Sequence, residues 1–206
     1  MKKNILLITF LLIFSTINAQ VIKLSNGVSV SSMPSSQIER LSKYIAKYYV
    51  SVGYDYFEHN YFYLSSEIAY TSFGALGKNT YINITPVKVL ESWDYLHINT
   101  TFRIRYFINK THLYFGCGPK LDILTSNDKF KSKFFPTVSG YRYHMNNLSF
   151  GGKLELGVAY DYRKMRLGFN TSYLLNIGNV GSGGKSGYIK FRRNALLFVL
   201  SIGYKL

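Results

Sequence analysis

Four histidines are the side chains of this sequence best suited to acid–base or metal chemistry: His59, His97, His112 and His144. None belongs to a His-Glu-x-x-His pair, the spacing that brings two imidazoles onto one zinc ion, so we predict no metal site. A serine hydrolase needs a serine, a histidine and a carboxylate within hydrogen-bond reach of one another. The strand pattern described below puts no histidine beside the outward-facing serines, and we therefore predict no catalytic residue, no cofactor and no enzymatic activity.

A second candidate for chemistry is the glycine-rich stretch 178–187, which contains Gly183-Gly-Lys-Ser186. A phosphate-binding loop also requires a glycine five residues before the Gly-Lys-Ser, a strand leading in and a helix following. Asn179 occupies the glycine position, and a strand pattern follows. The stretch is interpreted as an external loop.

The β-strands that must carry these residues are clearest in the last eleven residues, where a large apolar side chain recurs at every second position. Leu196, Phe198, Leu200, Ile202 and Tyr204 fall on one face of this segment. A strand with a wholly apolar outer face that ends in an aromatic residue is typical of the closing strand of an outer-membrane β-barrel, where it faces lipid.

Segments of the same period recur along the whole chain. They predict eight strands: Leu24–Ser32, Ile45–Phe57, Tyr61–Phe73, Trp93–Phe107, His112–Leu124, Asn147–Asp161, Met165–Ile177 and Leu196–Leu206. Short links (58–60, 108–111 and 162–164) alternate with long polar links (33–44, 74–92, 125–146 and 178–194). Bacterial membrane barrels join their strands by short periplasmic turns and longer external loops. We therefore predict an all-β, eight-stranded, antiparallel, up-and-down transmembrane β-barrel with periplasmic N- and C-termini.

The charged residues of these strands decide between a membrane barrel and a soluble one, which would also have eight strands. A soluble barrel keeps its charges outside. Here they share the face opposite the apolar one, and we expect them to form an ion-pair network inside the barrel: Glu67, Arg103, Arg105, Lys120, Asp122, Lys153 and Glu155. This arrangement favours the membrane barrel.

The N-terminus has the layout of a secretory signal peptide. Lys2 and Lys3 precede an apolar run from Ile5 to Ile13, and small residues follow up to Ala19. The apolar run is shorter than the roughly 20 residues of a spanning helix. We expect residues 1–19 to be a signal peptide and residues 20–206 to be the barrel domain of a Gram-negative outer-membrane protein, with the single Cys117 in an apolar strand face.

At this point the chain resembles the small outer-membrane β-barrel family of Bacteroidetes, which is described as porin-like or PorT-like. The resemblance is carried by Asn26-Gly-Val-Ser29, Trp93-Asp-Tyr-Leu-His97, Leu113-Tyr-Phe-Gly-Cys-Gly-Pro-Lys120, Leu154-Glu-Leu-Gly-Val-Ala-Tyr160 and Gly203-Tyr-Lys-Leu206. The chain departs from the family pattern at Asn99, where the family has proline, and at Leu206, where it has phenylalanine. The resemblance implies architecture and location but no single activity.

The long links hold much of the positive charge of a chain whose formal net charge is +15. Their basic residues are predicted to be external: Lys129, Lys131, Lys133, Arg142, Lys185, Lys190, Arg192 and Arg193. Basic side chains near an anionic membrane surface bind it at about 1 kcal/mol each. The expected partners are anionic glycolipid of the outer membrane, the barrel-insertion machinery during biogenesis and an unidentified surface ligand, but not nucleic acid.

These observations predict a non-enzymatic barrel with a structural or surface-interaction role that it exerts through its basic external loops. A narrow porin-like channel or solute-binding barrel is the alternative, favoured by the polar interior. An outer-membrane enzyme acting on lipid or peptide is the third, less favoured, alternative.

Overall fold

The computed structural model describes residues 19–33, 43–76, 80–82, 85–87, 90–125, 142–184 and 189–206. Eight strands close into an antiparallel barrel, which confirms the predicted fold class. In the order of their pairing around the barrel they are β1 (Ala19–Ser32), β13 (Asn194–Lys205), β10 (Met165–Asn176), β9 (Leu148–Tyr162), β7 (Thr111–Leu124), β6 (Leu90–Ile108), β3 (Phe62–Leu76) and β2 (Ile45–Tyr56). Among the described residues there is no helix long and apolar enough to cross a membrane.

The barrel closes because its first and last strands pair with each other. Val21 lies opposite Lys205, and the register continues to Ser32 opposite Asn194. This pairing explains why β1 begins at Ala19, five residues before the predicted Leu24: the backbone of these residues pairs with β13 and, apart from an irregularity after Ala19, with β2. Closure leaves no edge strand with unpaired N–H and C=O groups.

Three tight turns lie at one end of the barrel, which we call the short-turn end. Each turn contains one non-glycine residue with positive φ, and these are Phe57, Asn109 and Arg163. Asparagine adopts this conformation more readily than most other residues. Both ends of the barrel chain lie here too. The long links lie at the opposite, long-loop end.

Short strands in these links add two small sheets to the barrel. β8 (Arg142–Met145), β11 (Gly181–Gly184) and β12 (Ile189–Phe191) form one, and β4 (Thr80–Ile82) pairs with β5 (Thr85–Val87) in the other. β3 and β6 also extend beyond their predicted ends, since their pairing continues to Leu76 opposite Leu90.

Alternation along each strand separates an apolar outer face from a buried inner face. In β13, the inward Leu197 is fully buried, whereas the outward Leu200 is 65% exposed. Other outward positions are also large and exposed, such as Leu156 on β9 and Ile104 on β6. A predominantly apolar exterior on all eight strands is what contact with lipid requires.

The interior is not polar throughout, contrary to what the strand charges suggested. Its long-loop half holds an apolar core to which barrel strands and the β8–β11–β12 sheet both contribute: Met33, Tyr49, Ala69, Phe73, Ala75, Tyr95, Met145, Leu174, Val180, Phe191, Ala195, Leu197 and Val199. The core fills much of this half; most of the charged groups lie in the rest of the interior, and one charged cluster lies against the core through Arg193, Phe73 and Tyr95.

Candidate functional site

The charged interior is the candidate site, because inward positions of seven strands direct ionisable side chains into it. The structure places all seven of the predicted interior residues inside the barrel: Glu67, Arg103, Arg105, Lys120, Asp122, Lys153 and Glu155. It brings them together in three groups, along with ionisable residues that the sequence reasoning left out of the network.

The central network contains three cations and three carboxylates, each at most 5% exposed: Lys23, Arg103, Lys153, Asp55, Glu67 and Glu155. Glu67 contacts all three cations, with Lys23 Nζ at 2.6 Å and Lys153 Nζ at 2.9 Å. Arg103 Nη2 lies 3.3 Å from the same carboxylate. Equal numbers of opposite charges in direct contact offset the cost of burying each one.

The other two carboxylates complete this network. Glu155 is hydrogen-bonded by Arg103 Nε and lies 3.0 Å from Lys153 Nζ. Asp55 lies 3.2 Å from Lys23 Nζ and 3.7 Å from Arg103 Nη1. Every charge therefore touches at least two of opposite sign, which fixes the rotamers of long side chains that would otherwise be mobile.

A second group closes the short-turn end, and it includes Arg105. This arginine pairs with Glu58 at 2.5 Å rather than with another of the predicted seven. Arg166 joins the group, with contacts to Glu58 at 2.6 Å and Asp161 at 2.8 Å. Because Arg166 also lies 3.4 Å from Asp55, this group is continuous with the central network.

The third group, which we call the long-loop-end cluster, consists of His97, Lys120, Asp122, Asn176 and Arg193. Asp122 accepts from Lys120 Nζ at 2.6 Å and lies 2.5 Å from His97 Nδ1. The same carboxylate accepts a hydrogen bond from Arg193. Asn176 accepts from Lys120 Nζ at 2.8 Å.

Arg193 corrects a prediction, because the sequence assigned it to the external basic residues. Its side chain is 1% exposed and lies inside the barrel, where the guanidinium lies over the rings of both Phe73 and Tyr95. The physical reason is strand phase. Ala195 and Leu197 face inward, so a residue two positions before Ala195 faces inward as well. The predicted strand began at Leu196 and thus missed this position.

The same error of strand start hid Lys23, which is in phase with the inward Ser25 of β1 but precedes the predicted first residue, Leu24. Extending the period-2 pattern to the last paired residue recovers Lys23, and continuing the inward phase of β13 one residue beyond its first paired residue, Asn194, recovers Arg193.

The remaining predicted external residues divide into two sets. Lys190 and Arg192 are exposed at the long-loop end. Lys129, Lys131, Lys133 and Lys185 lie outside the described residues, as does the side chain of Arg142.

The outward serines bond to their outward neighbours rather than to a histidine. Ser72 Oγ donates to Asp94 at 2.5 Å, and Ser66 Oγ lies 2.8 Å from Thr100 Oγ1. His97 and His112 lie on the other face of the sheet, fully buried inside the barrel. Among the described residues, no group of three or more His, Cys, Asp or Glu side chains could hold a metal ion.

A small cavity lies between the central network and the short-turn group. A cavity of about 10 Å³, bordered by Lys23, Asp55, Arg103 and Arg166, has room for roughly one water molecule. Side chains fill the interior of an eight-stranded barrel as a rule, since its diameter is small. Chemically, this interior holds ionic side chains in mutual contact.

Comparison with known proteins agrees with this architecture. Residues 16–181 match the family described as "Outer membrane protein beta-barrel domain". No curated protein has a sequence significantly similar to this one. The crystal structure of Neisserial surface protein A (NspA) is similar with a TM-score of 0.51 and 14% identity, covering 90% of this chain and 97% of that one.

Two further solved structures have lower similarity. Outer membrane protein AlkL, determined by solid-state NMR in DMPC bilayers, has a TM-score of 0.49 and 11% identity, covering 91% of each chain. The crystal structure of the outer membrane enzyme PagL has a TM-score of 0.44 and 9% identity, covering 88% of this chain and 99% of that one. With its family match over most of its length and its closed eight-stranded barrel, the chain belongs to the outer membrane protein β-barrel domain family.

Proposed function

We propose that this protein is a closed, non-enzymatic barrel of the Gram-negative outer membrane that acts at its long-loop surface, in a structural or surface-interaction role. In this proposal residues 1–19 are a signal peptide removed on export. The short turns and both ends of the mature chain face the periplasm, and the long loops face outward. The chain is proposed to be of the Bacteroidetes, PorT-like type, supported by the motifs that resemble that family.

The observation that carries the proposal is the filled interior. Paired charges occupy the middle and the short-turn end, and the apolar core fills much of the long-loop half. Since solutes have little room to enter, function is left to the outer surfaces. Lys190 and Arg192 are exposed at the long-loop end, where an anionic glycolipid leaflet would lie in this orientation.

The first test is electrical. We expect the purified wild-type barrel to give no large, steady single-channel conductance in a planar bilayer, because its ion pairs leave no water-filled path. A known porin inserted in the same bilayer controls for the sensitivity of the assay. Steady conductance steps from the wild type would overturn the closed-barrel proposal and favour the narrow porin-like channel.

The second test concerns the basic long links. The variant Lys129→Ser/Lys131→Ser/Arg192→Ser should insert normally yet recover less anionic glycolipid or surface partner than the wild type in a pull-down from the native envelope. The matched control, Lys110→Ser/Lys164→Ser/Arg163→Ser, removes the same residue types from the short turns and should recover wild-type amounts. Equal recovery by all three proteins at physiological salt would contradict the loop-binding role.

A further inference from the structure

The long-loop-end cluster differs from the central network in its charge balance. Two cations, Lys120 and Arg193, face one carboxylate, Asp122, and the neighbouring His97 adds a further positive charge whenever it is protonated. The Asp122 carboxylate already contacts Lys120, Arg193 and His97. The central network pairs three cations with three carboxylates, and in the short-turn group Arg105 and Arg166 face Glu58 and Asp161. Among the described interior residues, the surplus positive charge therefore lies at the long-loop end.

The same cluster holds buried hydrogen-bond donors that make no hydrogen bond to the described residues, and the nearby Tyr95 hydroxyl, which is also unpartnered, is uncharged. Nε and Nη1 of Arg193, Nδ2 of Asn176 and Nδ2 of Asn99 are buried without a partner. Asn99 lies at the border of the cluster: it is opposite Lys120 in the β6–β7 register, and its Oδ1 accepts from Lys153 Nζ of the central network at 3.4 Å. His97 Nε2 is also buried without a partner. Buried donors without acceptors are costly, and native proteins rarely leave them unsatisfied.

Surplus positive charge and unpartnered N–H groups require the same complement, which is an acceptor that carries negative charge. Water would satisfy the donors but would leave the charge uncompensated. A cation would add to the repulsion. The guanidinium is also held in place by the rings of Phe73 and Tyr95, so its free N–H groups are pre-oriented rather than mobile.

We propose that the long-loop end of the barrel interior binds a small anion, a halide or a compact oxyanion, through Arg193 with Asn176, Asn99 and Lys120. The anion completes the ion pairing of the interior and stabilises the closed barrel. This site is independent of the proposed surface role, since it lies inside the barrel.

The test uses the intact mature barrel in zwitterionic detergent. Chloride NMR linewidth is measured as sodium chloride is titrated, with phosphate added as a competitor. The urea midpoint of unfolding is compared in chloride, bromide, phosphate and gluconate salts at equal ionic strength, gluconate serving as the bulky anion. We expect excess linewidth from bound chloride and a midpoint raised by roughly 1 M urea over gluconate when the small anion reaches about 100 times its Kd.

Arg193→Met should lose at least about tenfold in anion affinity, while Arg163→Met, which removes an exposed arginine at the short-turn end, should behave as wild type. If chloride or bromide raises the urea midpoint and phosphate does not, the site binds a halide. If phosphate alone raises the midpoint, the site binds an oxyanion. The proposal is overturned if the wild type has the same midpoint in all four salts and no excess linewidth, or if the two arginine variants respond alike. Because the wild-type series needs no variant, an Arg193→Met protein that fails to fold does not remove the test.

Discussion

Replacing Glu67 with glutamine should lower the free energy of unfolding by about 3–5 kcal/mol, the usual cost of removing one partner from a buried ion pair. Glu67 contacts Lys23, Arg103 and Lys153, all of them buried. Glutamine keeps the size of the side chain but removes its charge. The three cations are then left with two carboxylates in an interior that water barely enters.

Equilibrium unfolding in urea, from lipid vesicles, measures this loss. The matched control is the double variant Glu67→Gln/Lys153→Gln, in which one cation is removed together with its carboxylate. If charge balance governs the stability, the double variant should be more stable than Glu67→Gln alone, since the two residues are in contact and their effects are not additive. A double variant that loses the sum of the two single effects would show that Glu67 acts through packing instead.

Leu200→Arg should destabilise the barrel by about 2–4 kcal/mol because it places a charge on the lipid-facing surface at mid-height. Leu200 is 65% exposed and lies opposite Asn26 on β1 and Phe169 on β10, near the middle of both strands. On a soluble barrel, the same change at an exposed leucine would have little effect or improve solubility. The depth of the site in the bilayer is the cause of the penalty.

The control for this prediction is Met165→Arg, an outward position beside the turn at residues 163–164. Near the membrane interface the same substitution should cost about 0–1 kcal/mol. Insertion into vesicles followed by urea unfolding compares the two variants. Equal costs would mean that the exposed apolar band is not the bilayer-facing surface.

Much of the fold could be predicted from the sequence because a β-strand sends alternate side chains to opposite faces. The period alone assigned Arg103 to the interior and Ile104 to the exterior, and their exposures agree. Link lengths gave the strand order, since tight turns such as Asn109-Lys110 join only neighbouring antiparallel strands. These are local rules, and each needs only a few consecutive residues.

Only the tertiary structure decided which charges meet. Lys153 and Glu67 are 86 residues apart, and their contact depends on how the eight strands are staggered around the barrel. A periodic pattern gives the face of a residue but not its height, so it could not separate Arg105, which pairs with Glu58, from Arg103. Arg193 shows the same limit just before a strand: its phase relative to Ala195 was readable from the sequence, but its burial depends on contacts with Asp122 and the rings of Phe73 and Tyr95, which other strands supply.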